Sequence, residues 1–129
     1  MTADAVVQAG AVVIDVSDLR RSAAFWGALL AVDPGQPRNN GDCVTVGPLA
    51  DGVWLVLQRV SENKTTKNRV HVDFTVADAD AAISLIVALG GSQVSKPRAG
   101  GGVTMADPDG NEFCIGMFRR DRAGRRVPR

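Results

Sequence analysis

Two stretches of this chain echo one another at a fixed distance, and that echo limits the fold more than any other feature. "AVVIDVSDLRRSAAFWGALL" starts at Ala11 and "HVDFTVADADAAISLIVALG" at His71, an offset of 60 residues. Val12 falls on Val72, Val16 on Val76, Asp18 on Asp78 and Leu29 on Leu89. Each copy opens with strand-like alternation and passes through an Asp into helical spacing. Asp18 and Asp78 suit helix N-termini, where a carboxylate accepts from backbone N–H groups that have no partner inside the helix. Phe25, Leu29 and Leu30 make an apolar stripe in the first copy, with Trp26 beside them as core. Ile83, Ile86, Val87 and Leu89 do so in the second, and Gly90-Gly91 is a helix stop.

Strand signals follow each helix. They are "DCVTVG" (42–47) and "GVWLVLQRV" (52–60), then "GGVTMAD" (101–107) and "NEFCIGMF" (111–118). A short strand near "SQVSK" (92–96) is expected, and its counterpart would fall near residue 32. The order is β-α-β-β-β, twice. The fold class is therefore α+β: two βαβββ modules whose sheets form a curved mixed-sheet cup. The modules span about 10–60 and 69–118 within a single domain, 1–118, and the polar loop "SENKTTKN" separates them.

A chain of 129 residues fits one domain, and 45% hydrophobic with 22% charged residues is ordinary for a globular protein. No apolar run reaches the roughly 18–20 residues of a membrane span. The opening "MTADAVVQAG" has no basic start or apolar core of a signal peptide. These features predict a cytoplasmic protein with no membrane partner, its Cys43 and Cys114 both reduced thiols. The net charge of +1 is uneven, because the segment from Arg119 holds six Arg and one Asp, leaving 9 basic against 13 acidic residues elsewhere. That segment, 119–129, has no aromatic to stack on a base and no helical apolar face. It reads as a flexible, solvated tail rather than a nucleic-acid contact.

The paired halves and the ending "DPDGNEFCI" resemble the vicinal oxygen chelate superfamily, which includes glyoxalase I, extradiol dioxygenases and bleomycin-resistance proteins. "LVLQRVSENKTTKNRVHVDF" is similar, more narrowly, to the glyoxalase-like domain branch. The resemblance covers residues 10–118. Metal-dependent members hold a divalent ion with His and Glu from four strand positions, which here fall on Ala11, Val56, His71 and Cys114. Ala11 and Val56 have no donor atom, and an open catalytic zinc site has three protein ligands. No metal and no other cofactor is therefore expected. The alternative is a divalent ion on His71, Asp73 and a neighbour such as Asp15 or Gln58.

Period-2 alternation puts Trp54, Val56 and Gln58 on one strand face, with Arg69, His71 and Asp73 on the opposing strand. With Cys114 these are the predicted ligand-binding residues. Cys114 reads as a small apolar filler of the wall, or as a nucleophile with His71 as base and Asp73 as orienter. The two latter side chains, two apart on one strand, would lie parallel rather than head-on. Arg59, Arg69, Lys64, Lys67 and Asn68 bracket or fill the polar loop, either as a solvated run or as receivers of an anionic substituent. Asp109 and Asn111 serve a turn, and "AGGGV" (99–103) is a strand entry or a rim over the pocket.

Two functions follow from the resemblance. The first is a metal-independent homodimeric protein of the bleomycin-resistance kind, sequestering a partly aromatic small molecule or antibiotic, with Trp54 stacked on it. The second is a lyase, isomerase or dioxygenase that uses His71 as metal ligand or acid/base, with Asp73 as helper.

Overall fold

In a computed structural model, which describes residues 5–128, the chain divides into two units at Ser61/Glu62, inside the polar loop that separates the repeats. The first unit contains β1 (Ala11–Val16), α1 (Leu19–Leu30), β2 (Cys43–Ala50) and β3 (Val53–Arg59). The second contains β4 (Asp73–Val76), α2 (Ala79–Ala88), β5 (Ser92–Gln93), β6 (Val103–Ala106), β7 (Glu112–Arg120) and β8 (Arg126–Pro128). The architecture is α+β with two mixed sheets.

Both helices begin the same way. Asp18 has extended backbone, and its carboxylate accepts from Arg21 N at 3.0 Å. Asp78 repeats this on Ala81 N at 3.0 Å. α1 ends at Ala31 in the left-handed region, with Val32 N donating to Gly27 O at 2.9 Å. It buries Ser22, Phe25 and Trp26 in the unit that holds Val44, Val46, Leu55 and Leu57 as core. Phe25 and Trp26 meet edge to face, ring centroids 5.2 Å apart. In α2 only Ile86 is fully buried, and Val87, expected in its stripe, is 52% exposed. A stripe at Ile83, Ile86 and Leu89 leaves Val87 about 100° away from Ile86 on the helix.

The first sheet runs β1-β3-β2, with β1 parallel and β2 antiparallel to β3. The second runs β4-β7-β6-β5, with β4 parallel to β7 and the other pairs antiparallel. The modules thus share one topology except at the edge. β5 closes the second sheet, whereas no strand forms near residue 32, so β2 is an edge strand among the described residues. Pro34 and Pro37 follow that position closely, and proline cannot donate to a ladder. Gly35 N still donates to Thr45 O at 2.9 Å, and Arg38 bridges Cys43, so the edge is partly covered.

Residues 119–128, read from sequence as a flexible tail, continue β7 and return as β8. Arg119 pairs with Val127 and Arg120 with Arg126. The Asp121 carboxylate closes the turn by accepting from Ala123 N and Arg125 N, each at 2.9 Å, and from Arg125 Nε at 2.8 Å. Those donors hold its pKa below the ordinary carboxylate value. Arg126 lies 4.2 Å over the Phe118 ring, an attraction that offsets the crowding of charge along the hairpin.

Candidate functional site

Alternation decides what the first sheet shows. Leu55 and Leu57 point into the core, and Trp54, Val56 and Gln58 take the other face. The parallel register sets Ala11 beside Trp54, Val13 beside Val56 and Asp15 beside Gln58. Trp54 remains 43% exposed. It lines a cavity of about 360 Å³ with Gly10, Ala11, Val56, Thr45 and Arg38. Ala11 and Val56, where the resemblance would put this module's metal ligands, thus meet in one cavity, and neither carries a donor. Gln58 shares the face but lies outside the lining.

The second sheet pairs Asp73 with Cys114 and Thr75 with Gly116. These four residues line a cavity of about 230 Å³, whose rim is the loop carrying Arg98, Ala99, Gly100 and Gly102. Asp73 is the first residue of β4, so His71 and Arg69 precede the strand rather than belonging to it. This corrects the expected geometry. Free of the strand, His71 turns back, and its Nε2 lies 3.0 Å from Asp73 Oδ1, head-on rather than parallel. Arg69 is exposed in the irregular chain and lines neither cavity.

Cys114 is half-buried, and its surroundings are polar. Its Sγ lies 3.4 Å from Thr104 Oγ1 and 3.5 Å from Arg98 Nη2. The apolar-filler reading gives way to a sulfur held by a hydroxyl and a guanidinium. Cys43 is the buried filler instead.

The polar loop's cations have partners within the protein while staying exposed. Arg59 donates to Asp42 Oδ1 through Nη2 at 2.5 Å and Nε at 3.1 Å. Lys64 Nζ donates to Thr66 O at 2.6 Å, and Lys67 Nζ to Glu112 Oε1. The Lys67 hydrogen bond holds the Glu112 carboxyl below its ordinary value. Asn68 Oδ1 accepts from Glu112 N at 3.2 Å. These are structural anchors. At the turn before β7, Asp107 does the work expected of Asp109 and Asn111. It is 3% exposed, and its Oδ1 accepts from Asn111 N at 2.8 Å and Asp109 N at 3.0 Å.

Two arginines escaped the reading of the sequence, Arg38 and Arg98. Each lines its module's cavity and donates to a threonine of the adjoining strand. Arg38 Nη2 reaches Thr45 Oγ1 at 2.5 Å, and Arg98 Nη1 reaches Thr104 Oγ1 at 3.0 Å. Their spacing in sequence equals the 60-residue offset of the repeat, a signal present from the start.

The donor set can be tested against a metal. The ligand atoms of His71, Asp73 and Cys114 lie within 4.8 Å of one another, the number an open catalytic site requires. Against this, the Arg98 guanidinium sits 3.5 Å from the sulfur, placing a positive charge beside a donor. The set thus offers three donors, and an ion held there would share the sulfur with that guanidinium.

Comparison with known proteins bears on the fold. Among curated proteins none matches the chain. A glyoxalase/bleomycin resistance protein from Albidiferax ferrireducens T118 is 23% identical, with a TM-score of 0.63 over 84% of this chain and 96% of its own. A fosfomycin resistance protein from Listeria monocytogenes, solved with Mn(II) and 1S,2S-dihydroxypropylphosphonic acid, is 18% identical, with a TM-score of 0.67 over 88% and 90%. A glyoxalase/bleomycin resistance protein/dioxygenase family enzyme from Burkholderia phytofirmans PsJN is 14% identical, with a TM-score of 0.67 over 84% and 96%. The family model of the glyoxalase-like domain matches residues 11–116. Repeat, topology and family model agree, and the chain belongs to the glyoxalase-like domain family.

Proposed function

We propose that this protein binds a partly aromatic small molecule, of the kind an antibiotic-sequestering relative would hold, without a metal. The observation that carries the reading is Trp54, a large ring left 43% exposed at a cavity that Ala11 and Val56 line without a donor atom. An exposed indole beside an aliphatic wall offers a stacking plane. His71, Asp73 and Cys114 supply polar contacts in the second module, and Gln58 extends the Trp54 face.

Fluorescence tests the reading directly. Trp26 is 1% exposed and Trp54 43%, so a ligand reaching the cavity quenches Trp54 and spares Trp26. Titration with a panel of planar heteroaromatic compounds should give saturable quenching that Trp54→Phe removes. A panel that leaves the emission unchanged refutes the proposal.

A second reading rests on the His71, Asp73 and Cys114 cluster. In it these residues hold a divalent ion that polarises substrate oxygens, and the protein is an enzyme. Elemental analysis separates the two. Stoichiometric zinc, manganese, nickel or iron that His71→Ala removes supports the enzyme, and well under one ion per chain supports the binding protein.

The same reading makes the protein a cytoplasmic homodimer. Free Cys43 and Cys114 suit a reducing compartment, and half-exposed Leu85, Val87 and Val94 offer apolar surface to a partner. Sedimentation at micromolar concentration should give twice the 13.6 kDa chain mass.

A further inference from the structure

We propose that each module's cavity receives an oxyanion, a carboxylate by preference, and that Arg38 recognises it in the first cavity and Arg98 in the second. The inference rests on the small-molecule-binding reading and narrows its ligand to an aromatic acid.

Their places in the cavity linings single these two arginines out. Arg59, Lys67 and Arg125 each sit on a carboxylate, those of Asp42, Glu112 and Asp121. The side-chain partners of Arg38 and Arg98 are different. Arg38 donates to the Thr45 hydroxyl. Arg98 donates to the hydroxyls of Thr104 at 3.0 Å and Ser95 at 3.5 Å, and to the Cys114 sulfur at 3.5 Å. None of these is a carboxylate. A guanidinium has five N–H donors, so each arginine keeps donors for an incoming acid. Bidentate geometry matches a planar carboxylate, which makes arginine suited to this task.

Both side chains are also held in place before a ligand arrives. Arg38 exchanges backbone hydrogen bonds with Cys43 at 2.8 and 3.1 Å. Arg98 N donates to Gly102 O at 2.8 Å, and Gly101 N returns to Arg98 O at 2.8 Å. A threonine on the next strand then fixes each guanidinium. Gly102 is part of this device. A Cβ there would stand 3.0 Å from Arg98 Nη2, so the glycine gives the guanidinium room to cross the loop. Two arginines 60 residues apart, each fixed by a threonine of the next strand, point to ligand recognition rather than to two unrelated surface arginines.

In the first cavity the chemistry is specific. Trp54 offers a plane and Arg38 a cation in the same lining. An aromatic ring bearing a carboxylate satisfies both. In the second cavity Asp73 is the one acidic residue of the lining, and its carboxylate faces His71 Nε2.

The test uses two probes of similar shape, the anionic 2-naphthoate and the neutral 2-naphthamide, titrated calorimetrically into the whole chain. Naphthoate should bind at least about tenfold more tightly, the effect of one charge-assisted hydrogen-bonding pair. Arg38→Met should abolish that preference, bringing naphthoate affinity down to that of naphthamide. For the second cavity, amide chemical shifts of Gly102 and Cys114 should respond to benzoate, and Arg98→Met should remove the response. Gly102→Ala should do the same while leaving the thermal midpoint within a few degrees, since its methyl meets only the movable end of Arg98. Equal affinity for the two naphthalenes, or a preference that survives Arg38→Met, overturns the inference and leaves the aromatic-binding reading standing. Failure of both probes to bind at millimolar concentration overturns it too, and the heteroaromatic panel then decides the broader reading by itself.

Discussion

Trp54→Ala and Leu55→Ala, substitutions at adjacent positions of β3, should have opposite consequences. Leu55 is 1% exposed and Trp54 43% exposed, because consecutive side chains leave opposite faces of the sheet. Removing Leu55 opens a core cavity and should cost about 2–5 kcal/mol of stability. Removing Trp54 deletes a ring already half in water and should cost far less. Binding reverses the order. An indole presents up to about 250 Å², so the exposed 43% is on the order of 100 Å². A planar ligand covering half of that withdraws about 50 Å² of apolar surface, roughly 1.3 kcal/mol. Stacking adds about 0.5–1.5 kcal/mol. The total of about 2–3 kcal/mol corresponds to roughly 30- to 150-fold in Kd. Urea denaturation followed by circular dichroism reads the first effect, and calorimetric titration with 2-naphthoate the second. A Trp54→Ala variant that loses more stability than Leu55→Ala refutes the assigned face, since a one-residue slip would exchange the two roles.

Three further predictions concern the scaffold. A methyl at Gly91 would lie 2.6 Å from Ile86 Cγ2 and 2.7 Å from Ala106 O, so Gly91→Ala should lower stability by about 1–3 kcal/mol in urea denaturation. Ser22 Oγ is buried without a hydrogen-bond partner, so Ser22→Ala should be neutral or stabilising by about 1 kcal/mol, read as an unchanged or raised denaturation midpoint. The Lys67 hydrogen bond chiefly holds the folded-state pKa of Glu112 below its ordinary value of 4.5. A depressed carboxylate stabilises the fold above its unfolded pKa and loses that contribution as pH falls through the folded one. Lys67→Met should therefore flatten the loss of stability below pH 4.5 in acid titrations, and an unchanged acid limb would refute the assignment.

The fold was legible in the sequence where local chemistry is enough. Asp18 and Asp78 cap their helices because an exposed carboxylate needs only the adjacent N–H groups. Trp54, Val56 and Gln58 share a face because strand periodicity needs no tertiary partner, and the echo at 60 residues announces two modules of one topology. What the tertiary structure decided lies where the chain leaves regular elements. His71 faces Asp73 because β4 starts two residues later than the pattern suggests, so alternation does not govern His71. The basic segment becomes a hairpin because the Asp121 turn lets β8 pair with the extended end of β7, a pairing between residues up to 10 apart. Arg98 is the clearest case. In sequence it is one cation in a glycine-rich loop, and nothing local distinguishes it from Lys96. Its role comes from Thr104 and Cys114, which β6 and β7 bring to it, and from the missing side chain at Gly102. Helices and strands are written in near-neighbour spacing, whereas a site is assembled from residues that only the pairing of distant strands brings together.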